Sequence, residues 1–316
     1  MKELSIIIPV YNSESTIVEL SERISNVFGT YNNFEIIFVN DGSIDSSYNI
    51  CKKLSEKNEH IKFISFYKNY GQTSAILAGL KEASGKVCIV MDDDLQNPPE
   101  EIPKLIDELN KGYDFIFGIP KKIQQNLFRI LGSKFTLKIS ELMFGKPKDI
   151  YPSSFLALKN DIAQQIINYD GPYPYVSGLI FRITGNGKNV TVKQDPRKIG
   201  KSQYSITRLL KLWLSGFTNF SVLPLRVASI AGTIISLLGF IFIAVLIVQK
   251  IFFDKFLEGW TSLLGAILLF SGIQLLALGL LGEYVGRIFM LLNKTPQYSV
   301  KEKYNCDKFS VKVQSL

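Results

Sequence analysis

The chain has 316 residues, 47% of them hydrophobic and 20% charged, which excludes a disordered polypeptide and leaves room for a catalytic domain and something more. Three cysteines without C-x-x-C spacing and a single histidine, His60, exclude a Cys/His zinc cage and a disulfide framework. A formal net charge of +8 narrows the partners to anionic ones: nucleic acid, lipid headgroups or a phosphorylated substrate.

Short apolar, β-rich runs at 4–8, 34–39, 61–66, 87–91 and 115–118 alternate with helical patterns at 17–28, 47–54, 73–83 and 100–109. Asp45 or Ser46 is placed to cap the second helix, and Pro98 and Pro99 suit the start of the fourth. This rhythm predicts an α/β fold with a mainly parallel sheet covered on both faces. Further on, 205–224 sets Leu209, Leu210, Leu212, Trp213 and Phe217 beside Arg208 and Lys211, the pattern of a helix lying at a membrane surface. No charged residue occurs from 227 to 248 or from 259 to 282, and each stretch is long enough to cross a bilayer as helix. Two transmembrane helices, 227–249 and 259–282, are therefore expected within 225–292. Arg208, Lys211 and Arg226 before them, and Arg287 and Lys294 after them, place both ends in the cytoplasm with a short external hairpin. On this reading 1–204 is a cytoplasmic catalytic domain and 293–316 a cytoplasmic tail. The first residues lack the basic region and long apolar run of a signal peptide.

Ligands of open α/β sheets bind beyond the carboxyl ends of the strands. The first strand ends in Pro9-Val10-Tyr11-Asn12, the second in Asn40-Asp41-Gly42-Ser43 and the fourth in Met91-Asp92-Asp93-Asp94-Leu95-Gln96. Three consecutive acids repel one another without a cation, and Asp92 and Asp94 at alternate positions can share a hard divalent ion, Mg²⁺ or Mn²⁺, that would hold a diphosphate. A solvated acidic turn capping the next helix is the plain alternative. Asp41 is placed to accept a hydrogen bond from a ring or ribose; a lone Asp-Gly pair is more often a turn, but the position beside the Asp92–Asp94 edge reverses that preference. The backbone N–H groups of Asn69-Tyr70-Gly71-Gln72, opening a helix after the third strand, could meet an anion or simply be capped. The sequence has no P-loop and no G-x-G-x-x-G after the first strand, which disfavours a dinucleotide enzyme.

The segments SIIIPVYN, VNDGSIDSS, NYGQTSAILAGL and DDDLQNPPEEIP, in this order and spacing, resemble family 2 glycosyltransferases of the polyprenyl-phosphate type. That group includes dolichol-phosphate mannose synthases, bactoprenol glucosyltransferases and undecaprenyl-phosphate aminoarabinose transferases. The likeness continues through Arg197-x-x-Gly200-x-Ser202-x-Tyr204, Pro224-Leu225-Arg226 and the GLLGEYVGR run ending at Arg287, leaving only the last twenty or so residues outside it. The resemblance implies a GT-A fold, a nucleotide-sugar donor, a polyprenyl-phosphate acceptor, inversion at the sugar carbon and a bacterial cytoplasmic-membrane location. It also implies that Pro9, Tyr11 and Asp41 line the nucleoside pocket. Asp92, Asp94 and Gln96 would form the metal and diphosphate site, with Asp92 and Asp94 carrying the chemistry. Arg197, Ser202 and Tyr204 would grip the acceptor phosphate, a task that suits a guanidinium. Homotetramers are common in the group.

Many relatives carry an acid followed by Phe-Arg-Leu, taken as the catalytic base; in 151–158 of this chain Ser153 stands at that place. A phosphate monoester is already a nucleophilic anion at neutral pH, whereas a sugar hydroxyl needs a base, so the missing acid fits a lipid-phosphate acceptor. A processive polysaccharide synthase is the second enzyme reading, but Trp213 is not in a Q-x-x-R-W motif and two spans form no channel. A silent membrane scaffold is the third, opposed by the intact acid cluster. The charge clusters in 121–148, with seven basic residues against Glu141 alone, and in 196–226, with six and no acid. Both lie beside predicted membrane segments and no nucleic-acid module is present, so the basic excess reads as two collars for lipid and acceptor phosphate.

Overall fold

The computed structural model describes residues 2–29, 33–121, 146–171, 174–196, 259–294 and 296–306, together with scattered helical positions between 225 and 248. It forms two compact units, Met1–Gln203 with Pro296–Leu316, and Tyr204–Thr295. The first begins with β1 (Leu4–Val10), α1 (Ile17–Phe28), β2 (Phe34–Asn40), α2 (Ser47–Lys57), β3 (Ile61–Phe66), α3 (Gln72–Glu82) and β4 (Val87–Val90). A 3₁₀ turn (Pro99–Glu101), α4 (Ile102–Leu109) and β5 (Phe115–Pro120) follow, then β6 (Leu156–Lys159), α5 (Asn160–Ile167), α6 (Val176–Ile183) and β7 (Gly187–Val192).

Every residue of β1, β2 and β3 is buried, because helices cover both faces of the sheet and the strands can be apolar throughout. In α1 the buried residues Ile17, Leu20, Ser21, Ile24 and Phe28 recur at helical spacing, giving one face to the core. From Ser74 to Leu80, α3 is buried all round. Its approach to β1 is close: a Cβ on Gly79 would lie 2.3 Å from Ile7 Cγ2. Asp45 supplies the cap expected at α2, accepting the Ser47 N–H at 3.0 Å, and Pro99 opens the 3₁₀ turn before α4.

The eight strands run in the order β7-β5-β6-β4-β1-β2-β3-β8, where β8 is Val300–Tyr304. The centre, β4-β1-β2-β3, is parallel; β6 is antiparallel to both β4 and β5, and β8 is antiparallel to β3. β1 runs two residues further than its apolar stretch suggests and includes Pro9, paired with Val39. Ile7 accepts the Met91 N–H on the β4 side, so alternation aims Pro9 the same way, where that ladder has ended and no donor is needed. Within the residues expected to form a tail, Val300–Tyr304 supply an edge strand.

The second unit contains α7 (Ala228–Gly239) and α8 (Trp260–Leu292). Among the described residues one segment is long and apolar enough to cross a membrane, Phe270–Leu292, with mean hydropathy 1.7. The helix α8 that contains it covers nearly all of the expected 259–282 and continues ten residues beyond, where Glu283 and Arg287 pair at i,i+4. Only the shorter α7 is described in the first expected span, and the expected interfacial helix at 205–224 lies outside the described residues.

Candidate active site

The chain places β2 and β3 on one side of β1 and then crosses to lay β4 on the other, so the order reverses beside β1. The carboxyl ends of β1 and β4 therefore flank the crevice where such sheets bind ligands. Tyr11 follows β1 directly, Asp41 follows β2, and Asp92 stands two residues beyond β4.

Asp41 is buried, and its two oxygens accept the N–H groups of Tyr70 at 2.6 Å and Gly71 at 2.8 Å. The anion that meets the start of α3 is thus the protein's own carboxylate. Burial pushes the Asp41 carboxyl above its ordinary pKa, opposed by those two hydrogen bonds. The next residue, Gln72, donates from Nε2 to Asp92 Oδ1 at 2.6 Å. Three consecutive residues consequently tie the end of β2 to the end of β4. Gly42 is required for this: it has φ +64°, and a Cβ there would lie 2.4 Å from the Lys68 carbonyl carbon.

The β1 and β2 loops are also laced together. Asn12, itself at φ 54°, receives the Ile44 N–H at 2.9 Å, while its own N–H donates to Ser43 Oγ at 3.1 Å. Tyr11, partly exposed, donates its N–H to Asp93 Oδ2 at 3.2 Å. The three acids therefore divide. Asp93 turns back toward β1, and burial, reinforced by Asp92 and Asp94, raises its pKa to about 6. Asp94 Oδ1 accepts the Gln96 N–H at 3.1 Å across a turn in which Leu95 adopts φ 60°, a left-handed conformation that costs about 1–2 kcal/mol in a non-glycine residue. The Gln96 carbonyl in turn accepts the Asp195 N–H at 2.9 Å, tying the loop after β7 to this turn.

The second oxygen of Asp92 accepts a hydrogen bond from Ser154 Oγ. Ser153, the residue standing for the family acid, caps its own turn by accepting the Phe155 N–H at 3.2 Å. Sequence reasoning missed Ser154 and Gln72 as partners of Asp92; the signal was their place in the motif segments, but only pairing of β4 with β6 brings residue 154 to residue 92. Beside Asp92 opens a cavity of about 250 Å³, walled by Gln72, Thr73 and Ile76 on one side and Tyr175, Val176 and Ser177 on another, with Ser153 and Ser154 between. No charged side chain occurs among its described lining residues.

Among the described residues no three His, Cys, Asp or Glu side chains converge as a metal site. Asp92 and Asp94 supply carboxylate oxygens alone, which fits a hard cation that keeps places open for phosphate and water. Arg197, Ser202 and Tyr204 lie outside the described residues, as do 122–145 of the first basic collar. Lys146 does not belong to that collar: it is buried, and its Nζ donates to the carbonyls of Pro147 at 2.7 Å and Ile150 at 2.9 Å.

Residues 5–169, which contain Asp41, the Asp92–Gln96 turn and β6, match glycosyl transferase family 2. The chain belongs to that family. It is a glycosyltransferase, as its relatives are. It is 34% identical over 307 residues to the uncharacterized glycosyltransferase YkcC of Bacillus subtilis (strain 168), covering 96% of this chain and 95% of that one. It is 33% identical over 305 residues to the undecaprenyl-phosphate 4-deoxy-4-formamido-L-arabinose transferase of Klebsiella pneumoniae (strain 342), covering 95% and 93%. The fold is GT-A-like: glucosyl-3-phosphoglycerate synthase from Mycobacterium tuberculosis, in complex with Mn²⁺, UDP and phosphoglyceric acid, superposes with TM-score 0.52 at 16% identity, covering 69% of this chain and 77% of that one.

Proposed function

We propose that the enzyme transfers a sugar from a nucleoside-diphosphate donor, a UDP-sugar, to undecaprenyl phosphate at the cytoplasmic face of a bacterial membrane. The observation that carries this reading is the cavity beside Asp92. It has hydroxyl groups from Thr73, Ser153, Ser154 and Ser177 but no carboxylate base among its described lining residues. An acceptor that must lose a proton would be poorly served there, whereas a phosphate monoester, with a second pKa near 6, arrives ionised. The 33% identity with an undecaprenyl-phosphate transferase over nearly the whole chain supports the same acceptor.

In this mechanism Asp41 and the Tyr11 edge orient the nucleoside, and Gln72 and Ser154 fix Asp92 by its two oxygens. A divalent cation, Mg²⁺ or Mn²⁺, held by Asp92 and Asp94 beside Gln96, would neutralise charge developing on the leaving diphosphate. The acceptor phosphate attacks the anomeric carbon while the C–O bond to the diphosphate breaks, with inversion. Arg197, Ser202 and Tyr204 hold the acceptor phosphate. The expected spans at 227–249 and 259–282 anchor the chain, a reading supported by the exposed apolar side chains of α8, such as Leu275 and Leu278.

The test is incubation of membranes containing the protein with labelled UDP-sugars, undecaprenyl phosphate and Mg²⁺ or Mn²⁺. A chloroform-soluble labelled lipid is expected, lost in Asp94→Asn. If no donor gives labelled lipid, the proposal is wrong.

A further inference from the structure

Five residues after α8 ends at Leu292, the chain has already rejoined the catalytic unit at Gln297. The Gln297 side chain donates both Nε2 hydrogens, to the carbonyls of Tyr169 and Gly171, each at 2.8 Å. Its own carbonyl lies 3.3 Å from Ser74 Oγ in the first turn of α3. The next residue, Tyr298, stacks on Phe66 with centroids 4.9 Å apart, and Phe66 meets the Tyr70 ring edge-on at 5.7 Å. Tyr67 then donates its N–H to the Ser299 carbonyl at 3.2 Å.

These contacts lie beside two different walls of the cavity next to Asp92. Ser74 belongs to the helix that contributes Gln72, Thr73 and Ile76; Tyr169–Gly171 leads directly into the segment that contributes Tyr175, Val176 and Ser177. Neither wall belongs to the sheet, and a single glutamine is bonded next to each, through its backbone carbonyl to Ser74 in one helix and through its amide to the stretch that precedes the other. A planar amide with two donors suits this, since its two hydrogens can serve two carbonyls at once.

We propose that Gln297 is a positioning residue that fixes the separation of the two cavity walls, and with it the orientation of the sugar presented at Asp92. The proposal rests on the reading of that cavity as the site of sugar transfer. At the nucleoside end Asp41 is held by the Tyr70 and Gly71 backbone amides, which the Gln297 side-chain amide does not touch, so removing that amide alone should act on the sugar and leave the nucleotide in place.

The test compares the full-length protein with Gln297→Met, which keeps the length and removes both donors. UDP affinity should stay within about twofold of the parent, because no group at the Asp41 end is lost. The kcat/KM for the nucleotide sugar should fall about tenfold, the effect expected for two missing hydrogen bonds to carbonyls. Amide hydrogen exchange should quicken at 169–171 and 175–177 and remain unchanged in β1 to β4. Unchanged kcat/KM or unchanged local exchange overturns the proposal. So does a parallel fall in UDP affinity and kcat/KM with faster exchange throughout, which marks a general loss of structure. If the parent protein transfers no sugar at all, it is the proposed function that fails, and local exchange alone then decides whether Gln297 clamps the two walls.

Discussion

Replacing Ser154 by alanine separates the roles of two adjacent serines, of which the sequence drew attention to Ser153. Ser154 Oγ donates to Asp92, whose other oxygen is held by Gln72 at 2.6 Å; Ser153 Oγ only accepts the Phe155 N–H at 3.2 Å. A hydrogen bond to a charged group is worth about 1.5–3 kcal/mol, and the solvent-accessible site places this one at the lower end. With 1.4 kcal/mol equal to a factor of ten, Ser154→Ala should lower kcat about tenfold and raise the divalent-cation concentration needed for half-maximal rate. The KM for undecaprenyl phosphate should hold, and Ser153→Ala should stay within about threefold of the parent. Initial rates of lipid labelling, titrated with Mn²⁺ for each variant, decide the matter. Equal losses in the two serine variants, or a Ser154→Ala enzyme with unchanged metal dependence, would refute the assignment of Ser154 as the support of Asp92.

Gly42→Ala forces a side chain into a left-handed conformation and against the Lys68 backbone; a loss of at least about 2 kcal/mol is expected, read as a lower thermal midpoint. At the opposite end of the strands, Glu35 binds Lys62 Nζ at 2.9 Å and accepts from Ser5 Oγ and the Ser84 N–H at 2.5 and 2.7 Å. Burial alone would raise the Glu35 pKa, but these partners outweigh it and lower it. Its stabilisation is therefore present above the ordinary carboxylate pKa and lost as pH falls through the lower, folded value. Glu35→Gln should cost about 3 kcal/mol at pH 7 by leaving Lys62 buried without its counter-charge, and the gap to the parent should shrink in acid, as urea midpoints across pH 3–7 would report. Lys146→Met should lower stability and leave vesicle binding unchanged, since its ammonium is spent on backbone carbonyls; weaker vesicle binding would return it to the basic collar.

The parallel centre of the fold was legible because its strands are uninterrupted apolar runs and its helices carry clear faces. Every strand and helix expected through residue 118 is present, with ends moved by a few residues. The positions of the candidate site motifs were legible for a related reason: each sits where a strand stops, and Asp41, Asp92 and Asp94 follow the carboxyl ends of β2 and β4. What the sequence could not show were antiparallel partners. β6 follows a long intervening segment and gives no local sign that it will lie beside β4, so Ser154 went unnoticed and Ser153 drew attention instead. The run at 300–304, with Lys301, Glu302 and Lys303 in a row, looks like a solvated tail. It is a strand because β3 has an open edge, and charged side chains are common on such edges.

That edge strand has a consequence for the order in which the protein can be built. Tyr48 in α2 is hydrogen bonded to Glu302, 254 positions away, and Asn305 seals the arrangement by donating to the carbonyls of Ser55 and Ile61 at 2.6 and 3.0 Å. During synthesis the first two hundred residues emerge long before β8, so β3, paired with β2 on its inner side, must wait with its outer edge unpaired while the apolar helices are made. The catalytic unit is thus completed last, after α8, and a fragment cut before α7 would leave the ribosome with a permanently bare edge, inviting aggregation.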